Sequence, residues 1–159
     1  MVRLVDAVQA IAVTLWVGAL WTSGLLVAPL LFRMLEDRTL AGDIAGSLFG
    51  TTTLIGIVCG ACILIVWYFR QRGRTPHHHL LAWLVVAMLA LGLIGEYAIA
   101  PTLAGLREHA YPQPVMQTAF GGSFARWHMV AAVLYLVQSL LGAGLVISLR
   151  FAGNVPAKG

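Results

Sequence analysis

Charge is scarce in this chain. Only 10% of its 159 residues are Asp, Glu, Lys or Arg, while 60% are hydrophobic; soluble domains carry roughly 25% and 45–50%. Such a composition excludes an ordinary soluble domain, in which the surface is charged. The few charges are also clumped. Several stretches of about 20 residues have none, the length needed to cross a hydrocarbon core of roughly 30 Å. The formal net charge is +4. The basic residues are too few for a phosphate-binding face and no nucleic-acid motif is present, so no nucleic-acid partner is expected. Cysteine is equally sparse: Cys59 and Cys62 are the only two, both inside an apolar run, which argues against a disulfide framework. Gly-rich phosphate loops, H-E-x-x-H and nucleophile elbows are missing, and with them the usual soluble catalytic classes.

Long apolar runs are what the chain does have. Four stand out, at about 4–32, 48–69, 80–103 and 124–149. In lipid every backbone polar group must be satisfied within its own segment, so each run predicts a helix. The fold class is therefore all-α: an integral membrane four-helix bundle forming a single transmembrane domain over residues 1–159. Met1-Val2-Arg3 before an apolar run has the look of a signal peptide. The run continues past signal-peptide length, however, and Trp16, Trp21 and Pro29 stand where a small-residue cleavage site is needed, so it reads as a retained first span.

The connections carry the charge. The first holds Arg33-Met34-Leu35-Glu36-Asp37-Arg38 and Asp43, the second Arg70-Gln71-Arg72-Gly73-Arg74, and the third runs from Arg107 to Gly122 with Pro112, Pro114 and Gly121. Thr75 and Pro76 form an N-cap and first-turn signal for the third span. With four spans, Arg3, Arg70, Arg72, Arg74, Arg150 and Lys158 share one side. The other holds Arg33, Arg38, Arg107 and Arg126 mixed with acids. The positive-inside rule places the first group, and both termini, in the cytoplasm. Val27-Ala28-Pro29-Leu30 near the end of span 1 is similar to Ile99-Ala100-Pro101-Thr102 near the end of span 3. Gly46-Ser47 before span 2 is similar to Gly122-Ser123 before span 4. Two helical hairpins in pseudo-two-fold repeat are an expected consequence, and Pro29 and Pro101 are expected to kink or end their helices.

Glu96, inside span 3, is the most informative residue. An ionisable group there should face the bundle interior and have a partner. Measured from the ends of the apolar runs, Arg126 and His128 of span 4 reach a similar depth in the outer third of the membrane. Trp21 and Ser23 of span 1 and Thr52 of span 2 enter the same layer. A ligand-binding pocket near the outer face, lined by Trp21, Ser23, Thr52, Glu96, Tyr97, Arg126 and His128, is the resulting expectation. A carboxylate beside an imidazole can bind a metal, ligate haem or relay protons; the plain alternative is an interfacial His128 bonded to Glu96 or water. Cys59 and Cys62 lie on one helix face and suit a thiophilic metal such as Cu(I). Gly56, Gly60 and Ala61 beside them suit close helix packing, in which Cys serves as a small hydrophobe. His77, His78 and His79 point in different directions from a helix and read as interfacial.

Leu15-Trp16-Val17-Gly18-Ala19-Leu20-Trp21, Val27-Ala28-Pro29-Leu30-Leu31-Phe32, Ala41-Gly42-Asp43-Ile44-Ala45-Gly46-Ser47-Leu48-Phe49 and Arg126-Trp127-His128 together resemble a bacterial family of small four-span membrane proteins of unknown function. That family lies within the superfamily of the copper-resistance D (CopD-like) membrane proteins, and the resemblance runs over nearly the whole chain. It implies the four-span fold and the bacterial inner membrane. It also implies copper as a cargo, since copper import is the role of the D proteins. The same superfamily includes the haem-containing HemJ type of protoporphyrinogen oxidase, which has a His early in span 1; the similar position here looks like Gln9. The candidate cofactors are accordingly a copper ion or b-type haem, with His128 as a haem ligand. Three functions are expected in competition: binding or transport of a small ligand or metal through the outer pocket, a haem-binding membrane oxidoreductase, or an accessory subunit. The expected partners are the lipid bilayer and a homodimer or larger membrane complex.

Overall fold

The computed structural model describes residues 2–70 and 77–152. The Thr75–Pro76 helix start, Arg72, Arg74 and Lys158 lie outside the described residues. Span 1 comprises α1 (Val2–Trp21), a π-helical segment (Thr22–Val27) and α2 (Ala28–Met34). Span 2 is the single helix α3 (Arg38–Arg70). Span 3 repeats the plan of span 1, with α4 (His77–Ile94), a second π-helical segment (Gly95–Ile99) and α5 (Ala100–Ala110). A 3₁₀ turn (Val115–Gln117) then leads into α6 (Gly121–Ala152), which is span 4. All four are long and apolar enough to cross a bilayer. The chain is an all-α, multi-pass membrane bundle.

The helices outrun the apolar segments. Span 2 starts at Arg38 rather than near Leu48, because the Asp37 carboxylate accepts the N–H groups of Thr39 (2.8 Å) and Leu40 (3.2 Å) and so caps α3 early. Span 3 ends at Ala110 rather than near Leu103. Its last turn is tied to span 2 by Arg107 Nη1, 2.5 Å from Asp43 Oδ1, and the Arg107 guanidinium also lies 5.5 Å from the centroid of the Phe124 ring on span 4. Hydrophobicity marks where lipid is; caps and ion pairs decide where a helix stops.

Both odd-numbered spans widen into a π-helical segment immediately before an Ala-Pro pair. The physical reason is local. Proline has no N–H and its ring crowds the carbonyl four residues back, so an α-helical ladder cannot pass through it unchanged. Instead the Ala28 N–H reaches Ser23 O, and the Ala100 N–H reaches Gly95 O, five residues back in each case. That register sets the Gly24 and Glu96 carbonyls against Pro29 and Pro101, which have no hydrogen to give.

The helices pack in a ring, with α1 against α3 and α6, and α4 against α3 and α6. The apolar core fills the half of the bundle nearest the termini. Val13, Trp16, Leu20, Ile63, Val85, Met88 and Leu145 are all nearly or fully buried there, with Cys59 among them. Glycines set the helix separations. A Cβ at position 56 would stand 2.5 Å from Trp16 Nε1, and one at position 60 would stand 2.9 Å from Leu89 Cδ2. The small-residue face of span 2 therefore receives a large side chain from each neighbouring span. Large apolar residues such as Leu25, Leu54, Trp83 and Leu140 point outward on all sides, as a bilayer environment requires.

Candidate functional site

A band of polar groups crosses the bundle at mid-height, just beyond the apolar core. Ser23 and Thr52 meet there, hydroxyl to hydroxyl, at 2.8 Å, and both are buried. Thr52 also donates to Leu48 O at 2.9 Å, so its own hydrogen is used and Ser23 is the donor between them. Trp21 Nε1 donates to Ser139 O at 3.2 Å, tying span 1 to span 4. In the opposite sense, the Tyr135 hydroxyl donates to Leu20 O. Its ring fills the space beside Gly24, where any side chain would collide with it. Gln138 Nε2 donates to Met88 O at 3.0 Å, which ties span 4 to span 3. The Ser139 hydroxyl is buried and has no hydrogen-bond partner.

Glu96 enters this band from the π-helical segment of span 3. Its carboxylate lies against Gly50 of span 2, with Oε1 3.0 Å from the position a Cβ would occupy. It is half-buried, and among the described residues it makes no hydrogen bond or ion pair. A charge at the centre of a spanning helix costs on the order of 2.5–3.5 kcal/mol on insertion scales. A bundle that served only to pack would be more stable without it.

The structure brings together part of the residue set expected from sequence. Ser23 and Thr52 are bonded, Trp21 is in the same band, and Glu96 faces inward. Tyr97 follows Glu96 but turns outward and is exposed. Arg126 and His128 stand nearer the N-terminal end of span 4, both exposed. Arg126 Nη2 is 3.3 Å from Ser123 Oγ, and the His128 ring stacks on Phe124 at 6.1 Å. Their separation from Glu96 follows from the helix ends. Span 3 continues seven residues, about 10 Å, past its apolar run, so Glu96 lies near the middle of a 32-residue helix rather than close to its C-terminal end. Span 4 instead supplies Tyr135, Gln138 and Ser139. Their signal in the sequence is a polar triplet at i, i+3 and i+4, one helix face inside an apolar run.

The candidate ligands for a copper ion or a haem are not gathered at one place among the described residues. No group of three His, Cys, Asp or Glu close enough to share a metal occurs among the described residues. His128 stacks on Phe124 near the start of span 4. Cys59 is in the apolar core and Cys62 is half-buried, about two and three turns respectively toward the terminal side of Thr52. Gln9, at the position where the oxidase resemblance implies His, is buried in the terminal half of α1.

A family model described as Domain of unknown function (DUF4149) matches residues 11–112. The chain belongs to this family. Neither the curated proteins nor the solved structures compared with it give a match. The region matched to the DUF4149 family holds both π-helical segments together with Trp21, Ser23, Thr52 and Glu96. The span 4 contributors Tyr135, Gln138 and Ser139 fall outside it.

Proposed function

We propose that this protein binds or transports a small ligand through the mid-bundle polar band, in the inner membrane of a bacterium and with both termini in the cytoplasm. One observation carries the reading: the Glu96 carboxylate lies half-buried in a membrane helix, seated on Gly50, with no counter-charge among the described residues. Intramembrane ionisable groups of this kind mark ligand and ion pathways. The two helices interrupted at the same level are a second support, since interrupted spans line binding sites in many transporters. The orientation rests on the Arg70–Arg74 cluster and the positive-inside rule. A homodimer or a larger membrane complex suits the wide apolar surface that four helices leave exposed.

Native mass spectrometry of the protein released from lipid nanodiscs, with absorption spectra and metal analysis of the same sample, tests the reading. The expected result is a bound small molecule that is lost in Glu96→Gln and weakened in Ser23→Ala. Stoichiometric copper would replace the small ligand with the cargo that the copper-resistance D resemblance implies, and a Soret band lost in His128→Ala would replace it with the haem cofactor that the HemJ-type resemblance implies. Ligand-free protein, unchanged by Glu96→Gln after exposure to a bacterial metabolite extract, would overturn the proposal.

A further inference from the structure

The chemistry lining the polar band is one-sided. Glu96 is its one carboxylate among the described residues. The rest of the band offers acceptors and aromatic rings: the Ser23 and Thr52 hydroxyls, the Gly24 carbonyl opposed to Pro29, and the rings of Phe49 and Tyr135. These two rings lie 5.2 Å apart at 59°, so Phe49 reaches from span 2 to span 4 across the bundle. Phe49 directly precedes Gly50, the residue on which the Glu96 carboxylate rests. The carboxylate rests on one residue of span 2, and the ring that meets Tyr135 stands on the residue before it. Positive charge is confined to the helix ends. Arg107 is engaged by Asp43, Arg126 approaches Ser123, and His128 stacks on Phe124 near the N-terminal end of span 4.

We propose that the ligand of this band is a small organic cation carrying an ammonium group. The inference rests on the small-ligand reading above and names its chemical class. An anion would meet the Glu96 charge with no cationic side chain to offset it. A neutral ligand would leave the carboxylate uncompensated in a low-dielectric layer. An organic ammonium satisfies both halves of the lining: its charge neutralises Glu96, and its alkyl groups lie against ring faces whose quadrupole attracts cations. Gly50 has a defined part in this arrangement. A side chain there would push against Oε1, so the glycine keeps the carboxylate seated against span 2, one residue from the Phe49 ring's own backbone position.

Equilibrium binding of radiolabelled choline to the full chain in nanodiscs tests the assignment, with sodium chloride at matched ionic strength and acetate as comparison solutes. Saturable choline binding is expected, competed by tetramethylammonium and by neither sodium nor acetate. Glu96→Gln should weaken it by about 10–100-fold, the range for hydrogen bonds to a charged group. Phe49→Leu should weaken it by about 3–30-fold, the range for a desolvated cation–π contact. Gly50→Ala should weaken it while leaving the charge in place. The melting temperature of each variant without ligand reports folding, so Phe49→Leu decides the matter if Glu96→Gln does not fold. Absence of saturable binding by either ammonium probe, or equal affinity in wild type and all folded variants, would overturn the inference. If an anionic or neutral molecule binds instead and is weakened by Ser23→Ala, the ammonium assignment fails while the small-ligand reading stands. If nothing binds and the native mass is ligand-free, both fail.

Discussion

At the scale of single residues, the polar band contains side chains that help binding and others that help packing, and substitutions separate them. Glu96 belongs to the first kind. Glu96→Leu removes an inward-facing carboxylate and fills the same space with apolar atoms, so it should raise stability by up to about 2.5–3.5 kcal/mol, the insertion cost of the charge. Thermal unfolding in nanodiscs would show a higher melting temperature; a lower one would mean that the carboxylate has a structural partner. Gly24 belongs to the second kind. Its missing side chain makes room for Tyr135, and Gly24→Ala should cost about 1–3 kcal/mol, as overpacking of a core does. Because the two residues share one space, combining Gly24→Ala with Tyr135→Ala should cost less than the sum of the single changes. Strict additivity in the same unfolding assay would show that the two do not touch.

At the scale of elements, the π-helical segments of spans 1 and 3 are the distinctive feature. Each holds one more residue per turn than the helix on either side, and each is stabilised by a proline that cannot rejoin the α-helical ladder. Pro101→Ala restores the missing N–H and lets the segment close into an α-helix. Removing one residue from the winding would turn α5 by about 100° relative to α4, which would carry Arg107 away from Asp43. Electron–electron resonance distances between spin labels on α5 and on the first turns of α3 should change in Pro101→Ala and remain fixed in Thr102→Ala. Unchanged distances in Pro101→Ala would show that packing, and not proline, holds the widened turn.

At the scale of the whole molecule, spans 2, 3 and 4 are joined at one end by Asp43, Arg107 and Phe124, and orientation decides which side of the membrane this end faces. After replacement of Cys59 and Cys62 by Ala, Gln113→Cys should react with a membrane-impermeant maleimide added outside intact cells, and Gln71→Cys only after the membrane is opened. The reverse pattern would invert the topology derived from the arginine distribution. The Asp43–Arg107 pair is partly exposed, with side chains 62% and 27% accessible. Asp43→Asn should therefore cost no more than about 1 kcal/mol, and less in high salt. A larger loss, insensitive to salt, would make this pair a main tie between spans 2 and 3.

The number of spans and their all-helical form were legible in the sequence because they depend on a property of the solvent: lipid demands long uncharged runs and internally satisfied backbones. Glu96 and the paired Ala-Pro sites were legible for the same reason, since a carboxylate and a proline are both exceptions within such runs. The membership of the polar band was decided only in three dimensions. Depth along a span depends on where a helix begins and ends, and here Asp37 capping α3 and Arg107 pairing with Asp43 carried the helices beyond their apolar segments. That extra length placed Glu96 at mid-bundle. Tyr135 and Gln138 thus replace Arg126 and His128 as the contribution of span 4 to the polar band. Which face each helix turns inward was likewise set by side chains fitting over glycines, as Tyr135 does at Gly24 and Trp16 at Gly56. In a chain so uniformly apolar, hydrophobic periodicity carries little information about facing, because lipid and core are equally apolar solvents.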